Sequence, residues 1–337
     1  MTTVFLTHTP AMLTDYYGAK ALAALRELAT VRLNETGRVL DGPGVVREAA
    51  GAAIIVSDRQ TEGPAAVFDG LPDLCAFLRV AVDVRNIDVA AASRNGVLVT
   101  RATPGFMASV AELGLGFMID LARGISRSAG QYRAGLDAEV RMGRQLRGST
   151  LGILGYGAIG QELARMALAL GMDVVVADPF RSVAPEPGLS QASSDEVLAR
   201  ADFVCCLVVA TAETENLMDA RAFARMRPGS FFVNLSRGNL VDEAALADAL
   251  ASGHLAGAAL DVGRAPDQKP SLGLAARSDV IATPHIAGLT PPAAEHQAFD
   301  TVAQVGAILA GRTPEGALNL ESAERLGRIS GRVGAGR

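Results

Sequence analysis

Tryptophan is absent from this 337-residue chain, aromatic residues make up only 4% of it, and lysine occurs only at Lys20 and Lys269. Neither lysine lies in a GxxxxGK context, which removes the phosphate-loop lysine chemistry, and Schiff-base catalysis is left with few candidates. Any catalytic cation is therefore expected to be arginine or histidine. The three cysteines, Cys75, Cys205 and Cys206, form no CxxC spacing, and the adjacent pair lies in an apolar run. They read as small core residues, with no disulfide and no metal site expected. The longest obvious apolar block, Phe203 to Ala210, falls far short of the roughly 20 residues of a membrane-spanning helix. The first residues, MTTVFLTHTP, carry neither a basic region nor a long apolar stretch, so a cytoplasmic location without a secretory signal is expected. A net charge of −5 without a long basic block argues against nucleic-acid binding.

What is present is an apolar chain: 49% of residues are hydrophobic and 20% charged, with a mean hydropathy of +0.25. Such a composition excludes disorder as the main state, and the length suggests two domains. The first hundred residues alternate short β-rich runs (4–8, 52–56, 77–81, 97–100) with helical stretches near 11–28 and 87–95. That rhythm predicts an α/β unit with a parallel sheet. After Thr103-Pro104-Gly105, one long helix is predicted over SVAELGLGFMIDLARGISRSAGQY. Its apolar residues lie on more than one face, so it packs either within its own subunit or partly against a second one. From Thr150 a second doubly wound series begins, with strands predicted near 150–155, 173–178, 203–209, 231–235, 257–262 and 280–284. A last helix is predicted near 291–310, and the Gly/Arg-rich end ISGRVGAGR reads as a solvated, mobile chain end.

Within TLGILGYGAIGQELARMALALGMDVVVADPF, Gly155, Gly157 and Gly160 spell GxGxxG between an apolar strand and an amphipathic helix. The first glycine permits a tight turn, the second lets backbone approach a pyrophosphate, and the third brings helix and strand together. Ala158 and Ile159 open the helix whose amides face that anion. Asp178, 18 residues after Gly160, ends the next strand where a carboxylate accepts from an adenosine ribose. The set predicts a dinucleotide site. Asp178 favours NAD over NADP, although Arg181 follows closely.

These residues resemble the D-isomer-specific 2-hydroxyacid dehydrogenases. The resemblance runs along nearly the whole chain, through NIDVAAASRNGVLVTRATPG, VAELGLGFMIDLAR, LGILGYGAIG, MRPGSFFVNLSRGNLVDEAALADAL, GAALDV and TPHIAGLT. It implies two doubly wound α/β domains: a Rossmann NAD-binding domain over 102–289, inserted into a discontinuous flavodoxin-like substrate domain of 1–101 and 290–337, with the site in the cleft. It further implies hydride transfer between NAD and a 2-oxo acid/D-2-hydroxy acid pair. A homodimer joined through the NAD-binding domain is also implied. Arg237, in NLSRGNLVDE, matches the arginine that holds the substrate carboxylate, and a planar guanidinium at a parallel strand's C-terminal end suits that task. His285, in ATPHIAGLT, matches the general acid/base. Asp261, in GAALDV, matches a residue near the nicotinamide carboxamide, although a strand-end aspartate that caps a turn is the alternative.

The chain also departs from the family pattern. Where relatives carry a glutamate that pairs with the histidine, DVGRAPDQKP has Pro266, and the nearest carboxylate is Asp267. Asp267 is expected to take over the pairing and favour protonated His285, with Gln268 as an uncharged alternative. The substrate loop has Ala81-Val82-Asp83 in place of a Gly-x-Gly turn. The amides of Ala81 and Val82 are expected to contact substrate, while Asp83 must turn away from an anion or recognise a polar or cationic group. Phe106 and Met107 either line the pocket or simply pack. Arg59, Arg79 and Arg85 are further candidate cations. The rival reading is an NAD-sensing binding protein of the same fold, or an enzyme specialised for an unusual substrate.

Overall fold

The computed structural model describes residues Met1–Ile329, so most of the Gly/Arg-rich end, from position 330 on, lies outside the described residues. The chain divides into two compact units. One comprises Met1–Gly105 and the described residues from Thr290 onward; the other is Phe106–Leu289. The sequence reading put the division after residue 101. The next residues stay with the first unit because Ala102 N–H donates to the Ala81 carbonyl (3.0 Å) and the Thr103 amide and hydroxyl donate to Asp300 (2.6 and 2.7 Å).

In the first unit, β1 (Thr3–Leu6), β2 (Thr30–Leu33), β3 (Ile54–Ser57), β4 (Ala76–Arg79) and β5 (Leu98–Arg101) form a parallel sheet in the order β2-β1-β3-β4-β5. That is the flavodoxin-like order. Strands β3 and β4 are buried at every position, as expected when helices cover both faces of a parallel sheet. Strand β2 was not anticipated. It lies at the sheet edge and alternates exposed and half-buried residues, which makes its signal in sequence weak. The helix predicted near 11–28 is interrupted: Gly18 takes φ +83° and its N–H donates to the Leu13 carbonyl, closing a wide π turn before helix Ala19–Leu28. The terminal helix Pro291–Leu309 buries Ala298, Val302, Val305 and Ile308 in the core that holds Tyr17 and Leu25.

In the second unit, β6 (Thr150–Leu154), β7 (Asp173–Ala177), β8 (Leu189–Gln191), β9 (Phe203–Cys206), β10 (Ser230–Asn234), β11 (Leu255–Leu260) and β12 (Val280–Ala282) form a seven-stranded sheet ordered β12-β11-β10-β9-β6-β7-β8, with parallel ladders. The order reverses beside β6, as in the Rossmann fold. The predicted long helix is two helices, Met107–Arg123 and Ile125–Arg133, because Gly124 adopts the left-handed conformation and caps the first. Val110, Ala111, Phe117 and Met118 of the first helix share a core with Leu163 and Ala164 of helix Ala158–Ala169. Cys205 and Cys206 are fully buried, which pushes both thiols up and makes them inert packing groups. Among the described residues no helix is long and apolar enough to cross a membrane, and no cluster of three His, Cys, Asp or Glu residues is placed to hold a metal.

Candidate active site

The glycine loop follows β6, a central strand at the point where the order reverses. Gly155 takes φ +91°, and a Cβ there would lie 2.8 Å from the Leu207 backbone. At Gly160 a Cβ would lie 2.6 Å from the Gly155 carbonyl oxygen. Both positions therefore demand glycine for close backbone approach. Gly157 differs: a Cβ there would meet nothing within 4 Å. It caps the N-terminus of helix Ala158–Ala169 with no side-chain cap, so the first helical amides face open space. That combination suits a pyrophosphate, which the amides and helix dipole would hold where a larger residue would intrude.

Asp178 stands just past β7, half-buried, its carboxylate accepting from the Tyr156 amide (2.8 Å) and the Phe180 amide (2.9 Å). Two amide bonds orient the group, and a carboxylate with about four acceptor positions keeps capacity for ribose hydroxyls. Phe180 and Val209, 94% and 75% exposed, follow β7 and β9 on either side of β6. The sequence reading took 207–209 as strand, but the strand ends at Cys206, which leaves Val209 exposed on the loop beyond it.

The other half of the edge is built by β10, β11 and β12, whose final residues Asn234, Leu260 and Ala282 lie in register. Arg237 follows three residues after Asn234, Asp261 directly after Leu260, and His285 three residues after Ala282. Two strand spacings, about 10 Å, separate the outer two strands. The buried Asn234 amide donates to the Arg237 carbonyl (2.9 Å), fixing the backbone from which the exposed Arg237 guanidinium extends. Gly238 packs so closely on the β11 loop that a Cβ would lie 2.1 Å from the Gly263 carbonyl. The Arg237 turn and the 261–268 turn are thus pressed together, a contact that sequence spacing does not reveal.

Asp261 is 1% exposed and its carboxylate accepts from Thr283 Oγ1 (2.6 Å), Ile286 N–H (2.8 Å) and Ala287 N–H (3.0 Å). Its carbonyl also accepts from the His285 amide (2.9 Å). The turn-capping alternative is therefore the one its bonds describe: Asp261 holds the loop that carries His285. Thr283, which sequence reading passed over, is part of that hold.

His285 takes φ +59°, and the turn facing it has Asp267 at +60° and Gln268 at +57°. Among the described residues only Asn216 joins them as a non-glycine with positive φ. Such conformations cost about 1–3 kcal/mol each and persist where surrounding bonds enforce them. His285 Nδ1 meets the Asp267 main-chain carbonyl at 3.1 Å. The expected carboxylate pairing is thereby corrected. The left-handed turn aims the Asp267 carbonyl at the imidazole, while its carboxylate is exposed and lies 3.7 Å from Lys269 Nζ. A carbonyl only accepts, so Nδ1 carries the proton and Nε2 is the position where a substrate proton can come and go. The Gln268 side chain does not substitute, since its Oε1 is buried without a hydrogen-bond partner among the described residues.

In the first unit, Ala81 and Val82 are half-buried and follow β4. Asp83 is neutralised by Arg85, whose Nη2 lies 2.6 Å from its carboxylate, so its charge is masked within its own turn. Arg79 is no surface cation: it is 2% exposed, and it donates to Thr61 and Arg59 carbonyls (2.8 and 2.7 Å) and to Asn86, Asp58 and Asp83. Burial pulls it down to about 10, still charged at neutral pH, so it ties the turns after β3 and β4 together. Phe106 belongs to the second unit's apolar core and lies where a Cβ on Gly288 would touch it at 3.3 Å, which favours the packing role.

Comparison with known proteins agrees with this architecture. A model of the NAD binding domain of D-isomer specific 2-hydroxyacid dehydrogenases matches residues 115–287. D-3-phosphoglycerate dehydrogenase of Mycobacterium leprae (strain TN) is 34% identical over 319 residues, 92% of this chain and 58% of that protein. The chain thus spans little more than half the length of that relative. (S)-sulfolactate dehydrogenase of Chromohalobacter salexigens is 35% identical over 299 residues, 87% of this chain and 96% of that protein. The crystal structure of the TT0316 protein from Thermus thermophilus matches with a TM-score of 0.80 and 31% identity, covering 94% of this chain and 99% of that one.

Proposed function

Since the chain belongs to the D-isomer specific 2-hydroxyacid dehydrogenase family, we infer that it is an NAD-dependent oxidoreductase interconverting a small 2-oxo acid and its D-2-hydroxy acid. Arg237 and His285 past in-register strand ends, on the same sheet edge as an uncapped glycine-loop helix, carry this reading. Gly155, Gly157, Ala158, Ile159 and Gly160 would hold the NAD pyrophosphate and Asp178 its adenosine ribose. NAD, when bound, supplies or accepts the hydride. Arg237 would grip the substrate carboxylate with its planar fork and draw electron density from the adjacent carbonyl. His285 would deliver a proton from Nε2 to the carbonyl oxygen in reduction and remove it in oxidation, its ring oriented through Nδ1 by the Asp267 carbonyl. Asp261 acts at one remove, by holding residues 283–287. In the first unit, the amides of Ala81 and Val82 are the proposed substrate contacts.

The proposed assembly is a homodimer through the second unit. Ile125, Tyr132, Leu136, Val140 and Met142, between 55% and 99% exposed, gather within one stretch of that unit and fit an apolar interface with a second copy. The proposed location is the cytoplasm.

The decisive experiment follows NADH absorbance across a panel of 2-oxo acids, from glyoxylate to branched, sulfonated and phosphorylated ones, with Arg237→Ala as control. Turnover that disappears in the control, with NADH binding retained, is expected. NADH binding with no turnover on any member of the panel refutes the dehydrogenase reading in favour of a nucleotide-binding role.

A further inference from the structure

The turn after β11 contains a second arginine whose bonds reach the segments that follow β9 and β10. Arg264 Nε donates to the Val241 carbonyl (3.0 Å), and Nη2 lies within reach of the Asn239 carbonyl (2.9 Å), Asn216 Oδ1 (2.6 Å) and Glu215 Oε1 (2.9 Å). Its amide donates to Glu243 Oε1 (3.0 Å). Glu215 in turn accepts from Asn239 Nδ2 (2.8 Å), and the Asn216 amide donates to the Asn239 carbonyl (2.9 Å). Asn239 and Arg264 together hold the Glu215 carboxyl below the usual range. Asn216 is the fourth non-glycine residue with positive φ among the described residues, and Arg264 binds its side chain.

One guanidinium therefore gathers three turns: 215–216 after β9, 239–243 after β10, and its own after β11. Arg237 is two residues from Asn239, and the Asp267 carbonyl that receives His285 Nδ1 is three residues from Arg264. Between them, Gly263 N–H donates to the Gln268 carbonyl (2.9 Å) and Ala265 N–H to the Lys269 carbonyl (3.0 Å), so the Arg264 turn is stiff. Asp261 bonds the loop that carries His285, and Arg264 bonds residues 239–243, which follow Arg237.

We propose that Arg264 is a positioning residue that sets the placement of Arg237 relative to the His285–Asp267 contact. This rests on the roles given above to Arg237 and His285. The fork geometry is essential: a lysine supplies a point charge that cannot serve the Val241 and Asn239 carbonyls and Glu215 together. A catalytic pair displaced by about 1 Å loses on the order of 10²-fold in rate.

Arg264→Met and Arg264→Lys are the test, with Arg277→Met as a control, since among the described residues the Arg277 side chain pairs with Asp279 at the far end of β12. Three quantities are read on the intact protein: kcat with the best 2-oxo acid, NADH affinity, and amide exchange over residues 237–243. Both Arg264 variants are expected to lose on the order of 10²-fold in kcat while keeping NADH affinity within about twofold and speeding exchange over 237–243. Unchanged exchange there overturns the proposal whatever the activity, and so does a loss of NADH affinity in step with turnover, which would make Arg264 a general support of the fold. If the wild-type protein turns over no 2-oxo acid, the dehydrogenase reading fails by itself, and the exchange result still decides whether Arg264 holds the Arg237 turn.

Discussion

Lowering the pH from 7 to 5 is expected to weaken the first unit by about 2 kcal/mol through a single histidine. His8 follows β1, is 0% exposed, and has neither ring nitrogen hydrogen-bonded among the described residues. Its ring meets Tyr17 edge-on at 5.1 Å. Burial pushes it down to about 4 from an ordinary 6.5; the nearby Asp58 carboxylate opposes the shift and Arg79 adds to it. Because the folded value lies below the unfolded one, the unfolded chain binds the extra proton first. Stability is unaffected above pH 6.5, falls as pH drops through the interval to about 4, and levels off below it. At about 1.4 kcal/mol per unit, the full penalty is about 3 kcal/mol, of which about 2 lies between pH 7 and 5. Urea unfolding followed by tyrosine fluorescence tests this, since the chain has no tryptophan and, of its four tyrosines, Tyr16 and Tyr17 report the first unit once Tyr132 and Tyr156 are replaced by Phe. His8→Leu should match the wild type at pH 7 within about 1 kcal/mol and lose the extra acid sensitivity. A His8→Leu protein as acid-sensitive as the wild type refutes the argument.

Asp267→Asn should keep the wild-type pH–rate profile, because the carbonyl and not the carboxylate meets His285 and asparagine tolerates the left-handed turn; a displaced profile would restore the carboxylate to the mechanism. Gly238→Ala, whose Cβ would lie 2.1 Å from the Gly263 carbonyl, should cost about 1–3 kcal/mol in thermal or urea unfolding and reduce kcat by separating the two turns. Gly157→Ala is expected to leave nucleotide-free stability within about 0.5 kcal/mol, because open space surrounds its Cβ. Titration of the same variant with NADH should show affinity weakened roughly tenfold, about 1.4 kcal/mol; unaltered affinity would place the pyrophosphate elsewhere.

Much of this protein was legible in one dimension because its signals are local. A glycine run between a strand and a helix, an aspartate at the next strand's end, and unbroken apolar strands flanked by helices each act within a few residues, so Gly155, Gly157, Gly160, Asp178 and two parallel α/β sheets could be read directly. Arg237 and His285 were visible as polar residues just past apolar strands, but the roles proposed for them came from the resemblance of NLSRGNLVDE and TPHIAGLT to a known family, since a histidine after a strand taken alone reads as a structural hydrogen-bonder. Edge strands β2 and β8 were not, since short strands with one exposed flank carry little periodic signal. The breaks at Gly18 and Gly124 were also hidden, because glycine within an apolar pattern does not announce a positive φ.

Tertiary structure alone decided how the catalytic candidates are held. Whether Asp267 offers its carboxylate or its carbonyl depends on a backbone turn with φ +60°, which the Gly263–Gln268 and Ala265–Lys269 backbone bonds close and which packs through Gly263 against Gly238 of the β10 turn. The Asp261 carboxylate is committed to residues 22 to 26 positions away, and Arg264 reaches back as far as Glu215. His8 reads in sequence as an ordinary strand-end histidine, and its neutral state follows only from complete burial. Residue type sets which proton or charge a side chain can carry. Where that group points, and whether water reaches it, is fixed by chain segments far away in sequence that close around it.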